Sequence, residues 1–286
     1  MLLTNVVLLL LIVFSFFKLD IVMEVSVATL SSFTNTLFPS MFFSLVLCKL
    51  LIQNGFIKQL SKYFPFLSYS TFVYGILSAL LGFAGGTLLL KDAYERNEIS
   101  KRDVECVSYC FCIPSFSFFI TIGTLLNQPT LGIFLFGVQC IFSFFMLCFL
   151  PSTKCVLGNQ KATLHSIKDA IQSSSYGLYI MLGYILLISI SLRLMTLYFP
   201  LPLQISIQYL GEFASSCLHI IHSDIVLTKQ LILLAFVLGF GSFSAHLQVY
   251  ALLPIRPSYL YYFAYRIGQS IFSASMTLLY CLIFLN

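Results

Sequence analysis

LGEFASS, residues Leu210 to Ser216, and LGFGSFSAHLQV, residues Leu238 to Val249, both stand inside strongly apolar sequence. The first sets an ionisable Glu212 among small residues. The second crowds Gly239, Gly241, Ser242, Ser244, His246 and Gln248 into a length where a lipid-facing helix would carry Leu, Ile and Phe. A carboxylate at bilayer depth costs roughly 2.5–3.5 kcal/mol even on the lenient insertion scale, so such residues normally face protein or a wet cavity. The two stretches together predict a polar site enclosed in a membrane bundle.

Composition sets the same frame. Of 286 residues, 59% are hydrophobic, 16% aromatic and 9% charged, with a mean hydropathy of +0.97. Soluble domains carry about 25% charged residues, so the chain reads as an all-α polytopic membrane protein. The net charge of +5 is spread between apolar segments instead of forming a stripe, which argues against nucleic acid and for loops obeying the positive-inside rule. Met1 to Phe17 lacks a basic leader and a small-residue cleavage site, so residues 1–19 read as a retained first membrane helix. The nine cysteines follow no ligand or disulfide spacing and read as core residues; no metal or cofactor is expected.

After that helix, Ile21 to Phe33 mixes apolar residues with Ser and Thr and reads as a helix lying in the interface, followed by a spanning helix over Leu37 to Ile52. From about 67 to 96 two short apolar arms flank Gly82-Phe83-Ala84-Gly85-Gly86, and the second arm runs into Lys91, Asp92, Glu95 and Arg96. Neither arm reaches the roughly 20 residues a spanning helix needs. A re-entrant hairpin with its tip at the glycines is expected, against the alternative of one tilted helix with a glycine packing face. Ser100 to Leu126 is a spanning segment broken at Ile113-Pro114-Ser115, where proline frees a carbonyl that must find another partner. A plain helix from Pro129 to about Leu150 closes a first repeat, residues 20–150.

Residues 151–175 read as a polar connecting loop and a second interfacial helix, and 176–286 as a second repeat with the same order. It comprises a spanning helix over Tyr176 to Phe199, a hairpin at about 203–222 around Glu212, a broken helix over Ile225 to Leu253 and a last helix over Ser258 to Leu285. Each repeat makes three crossings, an odd number, so the copies are expected to be inverted, with about seven spanning helices in all and the site where the broken elements meet. Charge placement supports this: with hairpins, Lys49, Lys58, Lys62, Lys91, Arg96, Lys101, Arg102, Lys154, Lys161, Lys168 and Arg256 fall on one side, the expected cytoplasm, and chiefly Lys18, Arg193 and Lys229 on the other.

These residues carry a resemblance. From about Phe33 to Gln269 the chain resembles bacterial sporulation integral membrane proteins of the YlbJ type, which carry a nucleoside-recognition or Gate domain. The matching residues are LFPSMFF (Leu37 to Phe43), the glycine turn with its basic-acidic arm and ISKRDVE (Ile99 to Glu105), and GSFSAHLQV (Gly241 to Val249). More distantly it is similar to concentrative nucleoside transporters, where a Glu-Phe-x-Ala hairpin and a Gly-Phe-x-x-Phe-Ser break contact substrate. The corresponding residues here are Glu212, Phe213, Gly239, Phe240, Phe243 and Ser244. Where those transporters present a polar trio in the first hairpin, this chain has Gly85, Gly86 and Thr87, and Ser242 stands in place of an asparagine. The resemblance implies a multi-pass protein of the bacterial cell membrane.

Two functions compete. In the first, a transporter-like protein binds or moves a small polar solute, with a proton or sodium ion as coupling partner. Glu212 is the charged anchor or proton carrier, and Phe213, Phe240, Ser242, Ser244, His246 and Gln248 line the site. Gly82, Gly85, Gly86, Thr87, Pro114, Gly239 and Gly241 form the hairpin tip and the helix breaks. Against these stand a packing role for the glycines, a satisfied core histidine for His246 and an interfacial position for Glu212. The second function is a non-transporting interaction protein needed for spore envelope or cortex assembly. No catalytic set is present: the sequence lacks a Ser-His-Asp constellation, HExxH and a P-loop, so an enzyme is not expected. Lipid is the expected surroundings, and a homo-oligomer stays open.

Overall fold

The computed structural model describes residues 2–54, 63–64, 69–150 and 164–285, and their regular structure is helical, with no β-strand among them. Five helices are long and apolar enough to cross a membrane by length and composition: Ser70–Glu95, Pro129–Leu147, Ile167–Thr196, Leu227–Leu252 and Tyr259–Phe284. The last shows the polarity expected in lipid. Tyr262, Arg266, Gln269, Ser270, Ser273 and Thr277 are buried, while Leu260, Ile267, Ile271, Leu278 and Leu282 are exposed. A soluble helix would face the other way. The chain is a multi-pass helical membrane protein.

Helix α1 spans Leu2–Phe17 and α2 Leu19–Ser32, and α2 is not a separate helix. It passes through a π-helical stretch, Phe33–Leu37, directly into α3, Phe38–Gln53. The polar residues that suggest a separate surface helix are turned onto the helix itself: Ser26 Oγ donates to Val22 O at 2.6 Å and Thr34 Oγ1 to Leu30 O at 2.8 Å. A hydroxyl bonded back to the preceding turn hides its polarity.

Two short helices follow the hairpin region treated next: α5 over Lys101–Cys110 and α6 over Phe116–Leu125. Between them the backbone of residues 111–115 is non-helical, as the proline predicts. A capping box between Ser100 and Asp103 starts α5, and Pro129 occupies the first turn of α7, Pro129–Leu147. Helix α8 then runs unbroken over Leu164–Thr196, straight across the expected boundary at 175/176. At about 1.5 Å per residue its 33 residues reach about 50 Å, beyond the hydrocarbon thickness, so it tilts or projects past it. The connecting loop with Lys154 and Lys161, like Lys58 and Lys62, lies outside the described residues.

The hairpin, by contrast, is where the sequence puts it. Helix α4, Ser70–Glu95, is interrupted at Gly82 with φ 80° and ψ −175°, a backbone that only glycine adopts at ease. Its two arms fold back on each other. Tyr74 Oη donates to Glu98 Oε2 at 2.8 Å, although these residues would be about 36 Å apart along one straight helix. A methyl on Gly86 would lie 2.8 Å from Ser78 Cβ in the facing arm, so the arms touch through small residues. Length and composition alone would admit 70–95 as a crossing; the Tyr74–Glu98 bond excludes it.

That folding collects charge at one end. Lys49 Nζ pairs with Asp92 Oδ2 at 2.7 Å and donates to Ser173 Oγ at 2.7 Å, tying α3, the returning arm of α4 and the start of α8 together. At the opposite end of α8, Phe14 and Tyr198 meet with ring centroids 6.1 Å apart, near Lys18 and Arg193.

The remaining elements are α9 (Leu201–Gly211), α10 (Phe213–Ile221), α11 (Leu227–Phe240), α12 (Ser242–Leu252) and α13 (Tyr259–Phe284). Glu212 alone separates α9 from α10, in extended conformation. Left-handed Gly241 and Ser242, φ 92° and 73°, separate α11 from α12. The order of long helix, pair broken at one residue, broken helix and plain helix therefore occurs twice, in 19–147 and in 164–284.

Candidate functional site

The four breaks at Gly82, Pro114, Glu212 and Gly241 meet. A methyl on Gly82 would sit 2.5 Å from Ser115 N, placing the first hairpin tip against the Pro114 break. Phe83 packs on Phe213 with ring centroids 5.3 Å apart, and Phe118 on Phe213 at 5.1 Å, bringing the Glu212 break to both. A methyl on Gly241 would meet Phe83 Cζ at 2.8 Å, which brings in the fourth. Side chains are excluded there because backbones and rings approach closely. A cavity of about 30 Å³ lies at this junction, walled by Gly82, Phe83, Pro114, Ser115, Phe118 and Phe213, with Met41, Met181 and Gln248 closing it.

Of the seven residues expected to line the site, two border this cavity: Phe213 and Gln248. Glu212 is buried at 8% exposure, as its cost requires, but its carboxylate is turned onto its own helix. It accepts from Ala214 N at 3.0 Å and Ser215 N at 2.6 Å, capping α10 and satisfying donors that a helix start leaves free. Ser242 and Ser244 hydroxyls bond each other at 3.1 Å. His246 Nδ1 shares a 2.9 Å hydrogen bond with Tyr262 Oη, inside a ring cluster of Phe240, Phe243 and Phe263. Phe240 belongs to that cluster and does not border the cavity.

The glycines divide in the same way. Gly82 and Gly241 form breaks, whereas Gly239 packs α11 on α13, where a methyl would lie 2.8 Å from Ser270 Cα. Gly85 and Gly86 sit at the close approach of the two arms of α4, with Leu81 and Ser78 as their nearest neighbours and not residues of the other half of the bundle. Phe83 makes that contact instead. Thr87 Oγ1 donates to Phe83 O, one turn back, so it offers nothing to the cavity.

The residue that sequence reasoning missed is Arg266. It is fully buried on α13 and donates to the carbonyls of Cys112 and Tyr109, and to Cys110 O at 3.2 Å. Ser143 Oγ on α7 also donates to Cys110 O, at 2.6 Å. These are the acceptors that the end of α5 and the Pro114 break release. Tyr262 stands beside it, donating to Cys112 Sγ at 3.4 Å, and Gln139 and Gln269 add interhelical bonds at 3.3–3.4 Å to Ala235 O and Gln139 O. An intramembrane arginine carries the same cost that singles out Glu212, so the signal was in the sequence. Among the described residues no three His, Cys, Asp or Glu side chains come together as metal ligands.

Comparison with family models, curated proteins and solved structures finds no match for this chain. The class therefore rests on geometry: a multi-pass helical membrane protein with interrupted helices meeting at a buried junction.

Proposed function

We propose that this protein is transporter-like, acts in the bacterial cell membrane with its basic loops cytoplasmic, and binds or moves a small polar solute at the junction of its four chain breaks. The observation that carries the reading is the convergence itself. Interrupted helices expose backbone groups that lipid would penalise, so breaks gather where a cavity or a ligand uses them. The twofold element order supports two inverted repeats, and the resemblance to Gate-domain sporulation proteins supports a role in sporulation. The test is accessibility. Ala84→Cys, at the cavity wall, on a background lacking the nine native cysteines, reacts with a membrane-impermeant thiol reagent from both sides of the membrane as the site alternates. A thiol that stays inert from both sides removes the transport reading.

One observation favours the second reading, an interaction protein of the spore envelope or cortex that kept the fold and lost transport. The cavity is small, about 30 Å³, and the Glu212 carboxylate, one residue from its Phe213 wall, is taken up by backbone N–H groups.

A further inference from the structure

Around the junction two buried polar atoms have no hydrogen-bond partner, His246 Nε2 and Gln248 Nε2, and of these two residues Gln248 borders the cavity. Glu212 spends both carboxylate oxygens on the start of α10. Ser115 Oγ meets Ser117 Oγ at 3.0 Å and accepts from Phe118 N at 3.3 Å. Ser242 and Ser244 satisfy each other, and His246 looks to Tyr262. Gln248 is 3% exposed and borders the cavity, yet its Nε2 has no hydrogen-bond partner. A buried amide donor left unpaired at the edge of a cavity marks a place where something in that cavity can supply the acceptor. The walls around it are aromatic edges and thioethers, Phe83, Phe118, Phe213, Met41 and Met181, and among the described residues no ionisable side chain borders the cavity.

We propose that Gln248, not Glu212, is the polar anchor of the solute site, and that the solute is uncharged, presenting a carbonyl or amide oxygen on an apolar or aromatic body. This deepens the solute-binding reading above and rests on it. A charged solute would have to leave water for a wall that offers neither counter-ion nor a set of donors, which is prohibitive. A neutral acceptor satisfies the Gln248 donor, while ring edges and flexible methionines accommodate an apolar body. The cavity is too small for such a molecule with the walls closed, so entry parts Phe83 from Phe213 and Phe118 and turns Met41 and Met181. These contacts are side chain to side chain and cost no backbone hydrogen bond.

Three probes of one shape and different charge separate the cases: benzamide, benzoate and benzylammonium, each added at equal ionic strength to the full chain purified in detergent, with thermal unfolding as the readout. Benzamide at about ten times its Kd raises the midpoint by about 2 °C, and the two ions do not. Gln248→Leu abolishes the benzamide shift, and Gln248→Met does the same should the leucine disturb packing; Glu212→Gln keeps it. No benzamide shift in the wild type, or a shift that survives both Gln248 variants, overturns the proposal. A larger shift with either ion that disappears in Glu212→Gln overturns it too and returns the anchor to Glu212. With the Ala84→Cys thiol reactive from both sides, such failures remove this proposal alone; with the thiol inert, the solute-binding reading falls as well.

Discussion

Arg266 and Glu212 are buried ions of opposite sign at two of the chain's breaks, and they solve mirror-image problems. The end of α5 leaves carbonyls without partners, and Arg266 supplies three N–H bonds to them. The start of α10 leaves N–H groups without partners, and Glu212 supplies two oxygens. Each charge also has the sign its helix end prefers, cation at a C-terminus and anion at an N-terminus. The difference lies in reach. Glu212 caps its own helix from the adjacent position, a local contact, whereas Arg266 arrives from α13, more than 150 residues along the chain, and holds two halves of the molecule together. An intramembrane charge is therefore as readily a partner for freed backbone as a contact for solute.

The largest effect falls on Arg266. Arg266→Met leaves the carbonyls of Tyr109, Cys110 and Cys112 short of donors in a dry interior and removes the tie between α13 and the first broken helix. The loss is about 3–5 kcal/mol, seen as little monodisperse protein and a sharply lowered unfolding midpoint. Arg266→Lys recovers only part, because a single ammonium lacks the planar fork that reaches several carbonyls at once. Normal yield and midpoint in Arg266→Met would show that the freed carbonyls of the Pro114 break are satisfied without it.

The contrast also explains what sequence alone discloses. Gly82 beside a charged arm is a local pattern, and the hairpin follows from arm length and glycine chemistry, as the Tyr74–Glu98 bond bears out. The Pro114 break is equally local. The helices expected at Ile21 to Phe33 and within 151–175 are present but run on into the helices that follow them, because Ser and Thr that read as polar in sequence bond back onto their own turns or, like Ser173, meet a distant lysine. The site is legible only in part. Glu212 is recognised as costly and is indeed buried, but whether it faces a cavity or the next two N–H groups is a matter of one torsion. Arg266 lies outside the two polar motifs, in an otherwise plain apolar helix, yet the same cost applies to an arginine amid Ser258 to Leu285.

Lys49 and Asp92 give a control in which a buried ion is matched by another side chain and no backbone is involved. Lys49 is 1% exposed and Asp92 20%, so the partners respond unequally. Asp92→Asn leaves a buried ammonium with only Ser173 and costs about 2–4 kcal/mol. Lys49→Met leaves a carboxylate that water reaches and costs about 1–2 kcal/mol. Denaturation midpoints of the two single variants and the double check this ordering; equal losses would mean that the pair is solvated as a unit. The same pair fixes sidedness: cysteines at Asn54 and Asn97 are labelled from one face of the membrane, since Lys49 and Asp92 join the ends that carry them.

The smallest effect is the most discriminating, because it separates a cap from a solute anchor at Glu212. Glu212→Ala removes two acceptors from the start of α10 and costs about 1–2 kcal/mol, the usual loss for an N-cap. Glu212→Gln keeps one acceptor oxygen and loses about half of that. Glu212→Ser removes the charge altogether, yet its hydroxyl is a good N-cap acceptor for the same N–H groups, so it restores stability to within about 0.5 kcal/mol of the wild type. A solute anchor predicts another order: all three variants lose charge, so all three lose uptake or a sporulation phenotype equally, whatever their stability. Unfolding midpoints and function measured at matched protein level therefore form a two-axis test. Function that follows stability, with serine near wild type and alanine lowest, assigns the carboxylate to the helix. Function lost in all three, with serine fully stable, breaks the parallel with Arg266 and makes Glu212 a contact for the solute.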